Sequence, residues 1–238
     1  MQITLTGFMG TAKTAVGKRL AKRLGWAFVD TDRLIETSAR KTIPQIFSQH
    51  GETVFRRLEK RAIRLATRGD ERVIATGGGA FCDAQNQHRL RAVGPVICLT
   101  ASPKVIFERV GPSISTRPML AGAVPLARIQ QLLRQRAAAY AKADLLIDTS
   151  RLTVDEIIER IWTELTPWMS KSWRYLLTHR EQLTHRYGGQ YVVVLDNRVV
   201  AAGTSHLKAY QCLRRPVPRA CEVGIYYIPS PEDAPVAL

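Results

Sequence analysis

A glycine-rich segment near the start of the chain constrains the fold more than any other feature. Gly7–Thr14 follows a short alternating β run, Gln2–Thr6, and precedes an amphipathic helix predicted over Lys13–Leu24. Glycines between a strand and a helix allow backbone N–H groups and the helix N-terminus to face a phosphate group. The chain is therefore predicted to begin with a strand, a phosphate-binding loop and a helix. A chance glycine turn followed by Lys-Thr is the alternative, and the strand–helix context argues against it.

Two side chains of this loop have predicted roles toward a nucleotide and its metal ion. Lys13 is predicted to reach the terminal phosphates, and the Thr14 hydroxyl is predicted to bind Mg²⁺. Ala12 stands where such loops normally have glycine, and in a left-handed backbone its Cβ would cost roughly 1–2 kcal/mol. This alanine is either tolerated or weakens nucleotide binding. The predicted nucleotide contacts of the loop are Gly10, Thr11, Ala12, Lys13, Thr14 and Ala15.

Strands and helices alternate along the next part of the chain. The further predicted strands are Ala27–Asp30, Arg72–Thr76, Val96–Leu99 and Leu145–Asp148. The predicted helices include Arg33–Arg40 with Asp32 as its cap, Ile43–Ala66 with a break near Gly51, and a last one that follows a Thr153/Glu156 capping box. This alternation predicts an α/β fold with a five-stranded parallel sheet flanked by helices. Ligands bind beyond the carboxyl ends of such strands, so Gly7, Asp30 and Gly77 are expected to meet in one crevice.

A second, smaller region is predicted after a boundary at Pro167. Its predicted elements are a helix over Trp173–His185, a hairpin of Tyr191–Leu195 and Val199–Ala202 with its turn at Asp196-Asn197, a helix over Ser205–Leu213 and a strand over Val223–Ile228. The domains are therefore expected to span residues 1–166 and 167–238, the second being a small α+β module. It resembles uncharacterised modules in one motif, Tyr187–Gly203, and its function cannot be derived from the sequence.

The formal charge of +15 over 238 residues is the unusual global property. It fits an enzyme that captures anionic small molecules. Nucleic-acid binding is the less favoured alternative, because the basic residues are spread along helices without interleaved aromatic residues. The scattered cysteines predict free thiols, the histidines lack metal-ligand spacing, and no signal-peptide or membrane-spanning pattern is visible. A cytoplasmic protein is expected.

Five motifs, in order, resemble those of the shikimate kinases over about residues 1–165. They are the Gly-Phe-Met-Gly opening of the loop, an Asp-x-Asp, a Phe-Arg-x-x-Glu, a triple glycine and an Arg-Pro-Met-Leu lid motif. Arg136 followed by Tyr140 resembles the family's Arg-x-Pro-Leu-Tyr, with alanines in place of Pro-Leu. The motifs stand at Gly7–Gly10, Asp30–Asp32, Phe55–Glu59, Gly77–Gly79 and Arg117–Leu120.

The resemblance implies a site for the ring and carboxylate of shikimate. It implies that Arg56 and Arg136 hold the carboxylate, and that the amides of Gly78 and Gly79 approach the ring. It also implies that Asp32 binds the ring hydroxyls and orients or deprotonates the attacking one. Taken alone, Asp32 is as readily a helix cap.

The resemblance also implies roles on the nucleotide side. Asp30 would hold Mg²⁺ through water, Arg117 would stabilise the phosphoryl group in transfer, and Arg109 would stack on adenine. Arg57, beside Arg56, is expected to be a solvated surface residue.

The implied activity is ATP-dependent phosphorylation of shikimate by a cytoplasmic monomer that needs Mg²⁺. Two alternatives stay open. A weakly active or inactive sensor of shikimate or nucleotide would fit Ala12 and the appended module. A kinase for a related sugar acid such as gluconate would share the phosphate loop, but the Asp-x-Asp and triple-glycine motifs argue against it.

Overall fold

The chain forms two compact units, the first over Met1–Glu159 and the second beginning at Arg160. The computed structural model describes residues 1–111, 125–165, 170–195, 197–213, 223–228 and 230, and the backbone alone of Leu177. In the described helices, none is long and apolar enough to cross a lipid bilayer.

The first unit is built on a five-stranded parallel sheet in the order β2-β3-β1-β4-β5. Its strands are β1 (Gln2–Gly7), β2 (Ala27–Asp30), β3 (Arg72–Ala75), β4 (Val96–Thr100) and β5 (Leu145–Asp148). The helices are α1 (Lys13–Leu24), α2 (Thr31–Ala39), α3 (Ile43–Ala66), α4 (Ala84–Val93), α5 (Pro103–Val110), α6 (Pro125–Tyr140) and α7 (Val154–Leu165), of which only the part up to Glu159 belongs to this unit. The predicted α/β architecture is confirmed.

The central strand β1 is buried along its whole length, with Ile3 and Leu5 fully inaccessible. Helices that cover both faces of a parallel sheet produce such continuous burial. Ala75 at the end of β3 is in register with both Leu5 and Asp30. The chain segments that leave these three strands therefore meet at one edge of the sheet.

The start of α2 differs from the prediction. The helix begins at Thr31, and its cap is Asp30 rather than Asp32. Asp30 has an extended backbone and its Oδ1 accepts the N–H of Asp32 at 3.0 Å. A helix cap needs this non-helical geometry, which Asp32 lacks because it lies within the first turn. The Asp32 side chain is thus left available to the sheet edge.

Two other local predictions are confirmed in the first unit. The backbone of α3 leaves helical geometry at Gly51, with φ 76° and ψ 176°. At the start of α7, Glu156 Oε2 accepts the N–H of Thr153 at 2.7 Å, and Thr153 Oγ1 accepts the N–H of Glu156 at 3.3 Å. This reciprocal pair is the predicted capping box.

The second unit has a three-stranded antiparallel sheet in the order β7-β6-β8. Its elements are α8 (Lys171–Thr178), α9 (Arg180–Tyr187), β6 (Gln190–Leu195), β7 (Arg198–Gly203), α10 (His206–Gln211) and β8 (Val223–Ile228). Leu176 and Leu183 pack with Val192 and Val194 on one side of the sheet, and Ala209 packs with Val193 on the other.

The prediction of one helix over Trp173–His185 is wrong, since α8 and α9 are separate. His179 between them has φ −108° and ψ 20°. The hydroxyl of Thr178 donates to the Arg174 carbonyl at 2.8 Å, a side-chain bond that bends helices. The hairpin is present, and Asn197 has φ 64° as a tight turn requires. Its predicted partner in the turn, Asp196, lies outside the described residues.

Candidate active site

A cleft of about 610 Å³ opens at the edge of the parallel sheet where β1, β2 and β3 end. Its lining includes most of the site residues predicted from the sequence. These are Gly10, Ala12, Lys13, Thr14, Ala15, Asp30, Asp32, Arg56, Gly78, Gly79 and Arg136. Residues separated by more than a hundred positions in sequence are therefore brought around one space by the fold.

The phosphate loop connects β1 to α1 and is held by its own side chains. Gly7 has φ 127°, and a Cβ there would lie 2.0 Å from the Leu99 carbonyl oxygen, so only glycine fits. The Phe8 carbonyl accepts bonds from Thr11 Oγ1 and Lys13 Nζ, both at 2.7 Å. Thr11, a predicted nucleotide contact, is fully buried and is not among the residues that line the cleft.

Ala12 forms the N-cap of α1 in the left-handed region, with φ 67° and ψ 18°. Its carbonyl accepts the first helical bond, from the Val16 N–H at 2.9 Å. A non-glycine residue in this region costs roughly 1–2 kcal/mol. An alanine therefore holds a backbone conformation that favours glycine, at the expense of strain.

Two oxygen ligands suited to Mg²⁺ lie side by side next to the loop. The Thr14 hydroxyl donates to Asp30 Oδ2 at 3.0 Å, while Asp30 Oδ1 is occupied by the Asp32 N–H. Mg²⁺ in such sites takes one or two protein oxygens and completes its shell with water and phosphate oxygens. This hydroxyl–carboxylate pair fits that ion.

The three glycines Gly77–Gly79 each abut a different candidate side chain. A Cβ on the first, second and third glycine would lie 2.7 Å from Asp32 Oδ1, 3.2 Å from Arg136 Nη1 and 2.8 Å from Arg56 Nη1. Such distances lie below or at the short limit of ordinary Cβ contacts. A Cβ at these positions would therefore displace the ends of these side chains, and the turn forms a narrow floor between one carboxylate and two guanidinium groups.

Glu59 and Arg136 supply buried polar atoms that face this floor. Glu59 is 1% exposed and its Oε2 accepts from Arg56 Nη1 at 2.9 Å. Arg136 is 7% exposed and lies over the Phe8 ring, at 5.2 Å from its centroid. Among the described residues, neither Arg136 Nη1 nor Glu59 Oε1 has a hydrogen-bond partner. Unpaired buried atoms of this kind indicate a place for a polar ligand.

The carboxyl of Asp32 has an altered proton affinity. Burial in the cleft and repulsion from Asp30 raise the pKa of Asp32 to about 6, and Glu59 and Glu36 add to the shift. The charge of Lys13 opposes it. Burial likewise raises the pKa of Glu59, against the attraction of Arg56. At neutral pH Asp32 is thus ionised and still basic enough to accept a proton.

Glu59 and Tyr140 belong to the site although the sequence analysis assigned them no role. The Tyr140 hydroxyl donates to the Gly78 carbonyl at 2.6 Å and thereby fixes the glycine turn. Burial raises the pKa of Tyr140, so it stays a donor. Their spacing could have predicted these contacts. Glu59 is three residues after Arg56 and Tyr140 is four residues after Arg136, so each pair lies on one face of a helix.

Three further arginines were assigned from the sequence, and two of them are among the described residues. Arg109 donates to the Gly10 carbonyl at 3.3 Å and to the Thr149 carbonyl at 2.8 Å, so it joins the phosphate loop to the chain after β5. It is not among the residues that line the cleft. Arg57 is exposed, as expected. Arg117 and its motif lie outside the described residues.

Comparison with known proteins agrees with this geometry. The shikimate kinase family profile matches residues 9–166, and a family of unknown function, DUF5678, matches residues 182–231. The shikimate kinase of Thermodesulfovibrio yellowstonii is 47% identical over 162 residues, which cover 68% of this chain and 93% of the relative. The enzyme of Thermoanaerobacter pseudethanolicus is 45% identical over 159 residues, 67% of this chain and 92% of its own.

A solved structure gives the same result for the fold. Shikimate kinase from Acinetobacter baumannii, in complex with shikimate, superposes with a TM-score of 0.68 at 33% identity, over 71% of this chain and 95% of that one. Sequence and fold thus agree over the first unit. This chain belongs to the shikimate kinase family.

Proposed function

We propose that this protein transfers the γ-phosphoryl group of ATP to a hydroxyl group of shikimate, giving ADP and 3-phosphoshikimate on the route to aromatic amino acids. The observation that carries the proposal is the convergence of a phosphate loop, a basic carboxylate and two guanidinium groups around one cleft. A kinase for a small carboxylic acid with ring hydroxyls needs all three.

The carboxylate of shikimate binds between Arg56 and Arg136 over the glycine turn. The Nη1 atom of Arg136 is a buried donor that a carboxylate oxygen satisfies. Guanidinium forks pair with a planar carboxylate in two parallel bonds. The amides of Gly78 and Gly79 contact the ring, since no Cβ keeps it away. These groups set the position of the hydroxyls relative to Asp32.

Asp32 accepts the proton of the attacking hydroxyl. The hydroxyl oxygen forms a bond to the γ-phosphorus, its proton passes to an Oδ of Asp32, and the bond from phosphorus to the bridging oxygen of ADP breaks. A carboxyl with a pKa of about 6 is a better proton acceptor than an ordinary aspartate, yet it is charged at pH 7.

Lys13 and the loop amides bind the phosphates of ATP, and Arg109 steadies the loop from β5. Thr14 and Asp30 would hold Mg²⁺, which neutralises phosphate charge when bound. Arg117 is assigned to the phosphoryl group by its motif alone, because it lies outside the described residues. The proposed kinase domain is residues 1–166, with residues 167–238 as an appended module.

The experiment is shikimate-dependent release of ADP by the purified full chain. Wild type is expected to release ADP with ATP and shikimate, and to be inactive with gluconate in a panel of hydroxy acids. Lys13→Ala should abolish turnover, while Lys104→Ala, an exposed lysine of α5, should leave it unchanged. Turnover with gluconate and none with shikimate would show that the substrate assignment is wrong.

A second candidate is a sensor that binds shikimate or nucleotide without turnover, and the strained backbone of Ala12 is the observation that favours it. Calorimetric binding of shikimate by a chain that releases no ADP would select the sensor. Restoration of turnover by Ala12→Gly would then identify the alanine as the cause.

A further inference from the structure

A second cleft, of about 710 Å³, lies between α3 and α4. It shares no described lining residue with the catalytic cleft. Its charged lining is entirely basic in the described chain, with Lys60 and Arg64 from α3 and Arg89 from α4, joined by His88. Ala92 and Val93 provide an apolar part of the wall.

Both arginines line the cleft, and the way α3 and α4 are joined brings them there. Lys60 Nζ contacts Gln85 Oε1 at 3.3 Å and Asp83 Oδ2 at 2.8 Å, which fixes one turn of α3 against the start of α4. Residues four positions further lie on the same helix face. That step leads from Lys60 to Arg64 and from Gln85 to Arg89, and both arginines line the cleft.

Their charges are not balanced by the protein. In the described part of the chain, neither Arg64 nor Arg89 forms an ion pair. The carboxylate of Asp83, just before α4, is bound to Lys60 and also accepts the N–H groups at the start of α4. Exposed Arg61 on α3 and exposed Arg68 in the turn after α3 add further positive charge. Like charges that share a cleft favour a bound anion.

We propose that this cleft binds a phosphate-bearing small molecule between Arg64 and Arg89. Guanidinium forks match phosphate oxygens in pairs, and arginine outnumbers lysine at this surface. The volume suits a small organic ligand, whose carbon skeleton would lie against Ala92 and Val93. The site is separate from the phosphate loop. Anion binding there would explain why basic residues are concentrated on this face.

The test uses inorganic pyrophosphate as probe, in calorimetric titrations of the full chain at fixed ionic strength. Wild type is expected to show two classes of site, one of which is lost in Lys13→Ala. In the Lys13→Ala protein, adding R64Q and R89Q should weaken the remaining binding about tenfold or more, about 1.4 kcal/mol. Adding R64K and R89K, which keep the charge but lose the fork, should have an intermediate effect.

The matched control adds R40Q and R160Q, two exposed arginines outside the cleft that carry the same total charge. This control should leave the remaining binding unchanged. Equal weakening in both double variants would mean that only overall charge matters, and the proposal would be wrong. It would also be wrong if a single-stranded oligonucleotide bound through Arg64 and Arg89 while pyrophosphate did not. Because these titrations are done without Lys13, their outcome is independent of whether the chain phosphorylates shikimate.

Discussion

The two halves of the catalytic cleft are constructed in different ways. The phosphate half is one continuous loop, Gly7–Thr14, in which the ligand would meet mainly backbone amides and the end of α1. The half proposed for shikimate is assembled from side chains of α2, α3 and α6 around the glycine turn after β3. One half is local in sequence, and the other exists only in the folded chain.

This difference predicts different sensitivities to substitution. A side-chain site loses its function when one charged group is removed, because the groups that it paired with remain buried. A backbone site tolerates changes of side chain as long as the loop keeps its shape. Substitutions in the assembled half should therefore act strongly and specifically on shikimate. In the loop, substitutions other than those of Lys13 and Thr14, whose side chains are proposed to bind phosphate and Mg²⁺, should act weakly and on ATP.

The largest effect is expected at Asp32. Asp32→Asn keeps the size of the side chain and removes its ability to accept a proton, so kcat should fall by about 10²–10⁴. The KM for ATP should stay within about twofold of wild type. Asp155→Asn on the surface of α7 is the matched control and should keep full activity, because exposed ion pairs contribute little. A kcat of the Asp32→Asn protein close to the wild-type value would show that Asp32 does not accept the proton.

The pH profile tests the same carboxyl without substitution. Its ionised form is the active one, so kcat/KM should fall as the pH drops through about 6, by about tenfold per pH unit below that. The same acid limb should be absent in Asp32→Asn. A midpoint near the ordinary aspartate value of about 4 would assign the limb to another group.

A smaller effect is expected at Tyr140. Tyr140→Phe deletes the donor to the Gly78 carbonyl and loosens the glycine turn. The KM for shikimate should rise about fivefold, corresponding to about 1 kcal/mol for one hydrogen bond, with the KM for ATP unchanged. Tyr210→Phe, at an exposed tyrosine of α10, should change neither value. Equal increases in both KM values would mean that Tyr140 supports the fold in general rather than the shikimate half.

The same contrast explains what the sequence could predict. The loop and its flanking strand and helix were predictable from one contiguous pattern, and α1 has the predicted bounds. The convergence of Asp32, Arg56 and Arg136 could be expected only from the rule that ligands bind at strand ends and from the family resemblance. The contacts of Glu59 and Tyr140 depend on packing between elements, which local patterns do not contain.

The errors also have local physical causes. Asp30 and Asp32 are equally good helix caps by residue type, and only the extended backbone of Asp30 decides between them. The separation of α8 from α9 lies at the non-helical backbone of His179. The bond from the Thr178 hydroxyl to the Arg174 carbonyl bends a helix there, and such a bond has no periodic signature.

The smallest effect, of opposite sign, is expected in the loop. Ala12→Gly removes a Cβ from a residue with φ 67° and so relieves roughly 1–2 kcal/mol of strain. The added freedom of the unfolded chain offsets about 0.4–1 kcal/mol of that gain. The free energy of unfolding should therefore rise by about 0.5–1 kcal/mol, and ATP affinity should be preserved or improved.

The control is Ala15→Gly, which is also an alanine-to-glycine substitution but should change the free energy of unfolding in the opposite direction. Ala15 is exposed in the first turn of α1, where the backbone is helical, so glycine there should lower the free energy of unfolding by about 0.5–1 kcal/mol. Denaturant unfolding of both variants and of wild type measures the two changes in the free energy of unfolding. Titration with ATP then shows whether the substitution also changes the affinity for the nucleotide. A large loss of ATP affinity in Ala12→Gly would show that the alanine methyl group takes part in binding. The phosphate half would then depend on the side chain of Ala12 in addition to those of Lys13 and Thr14.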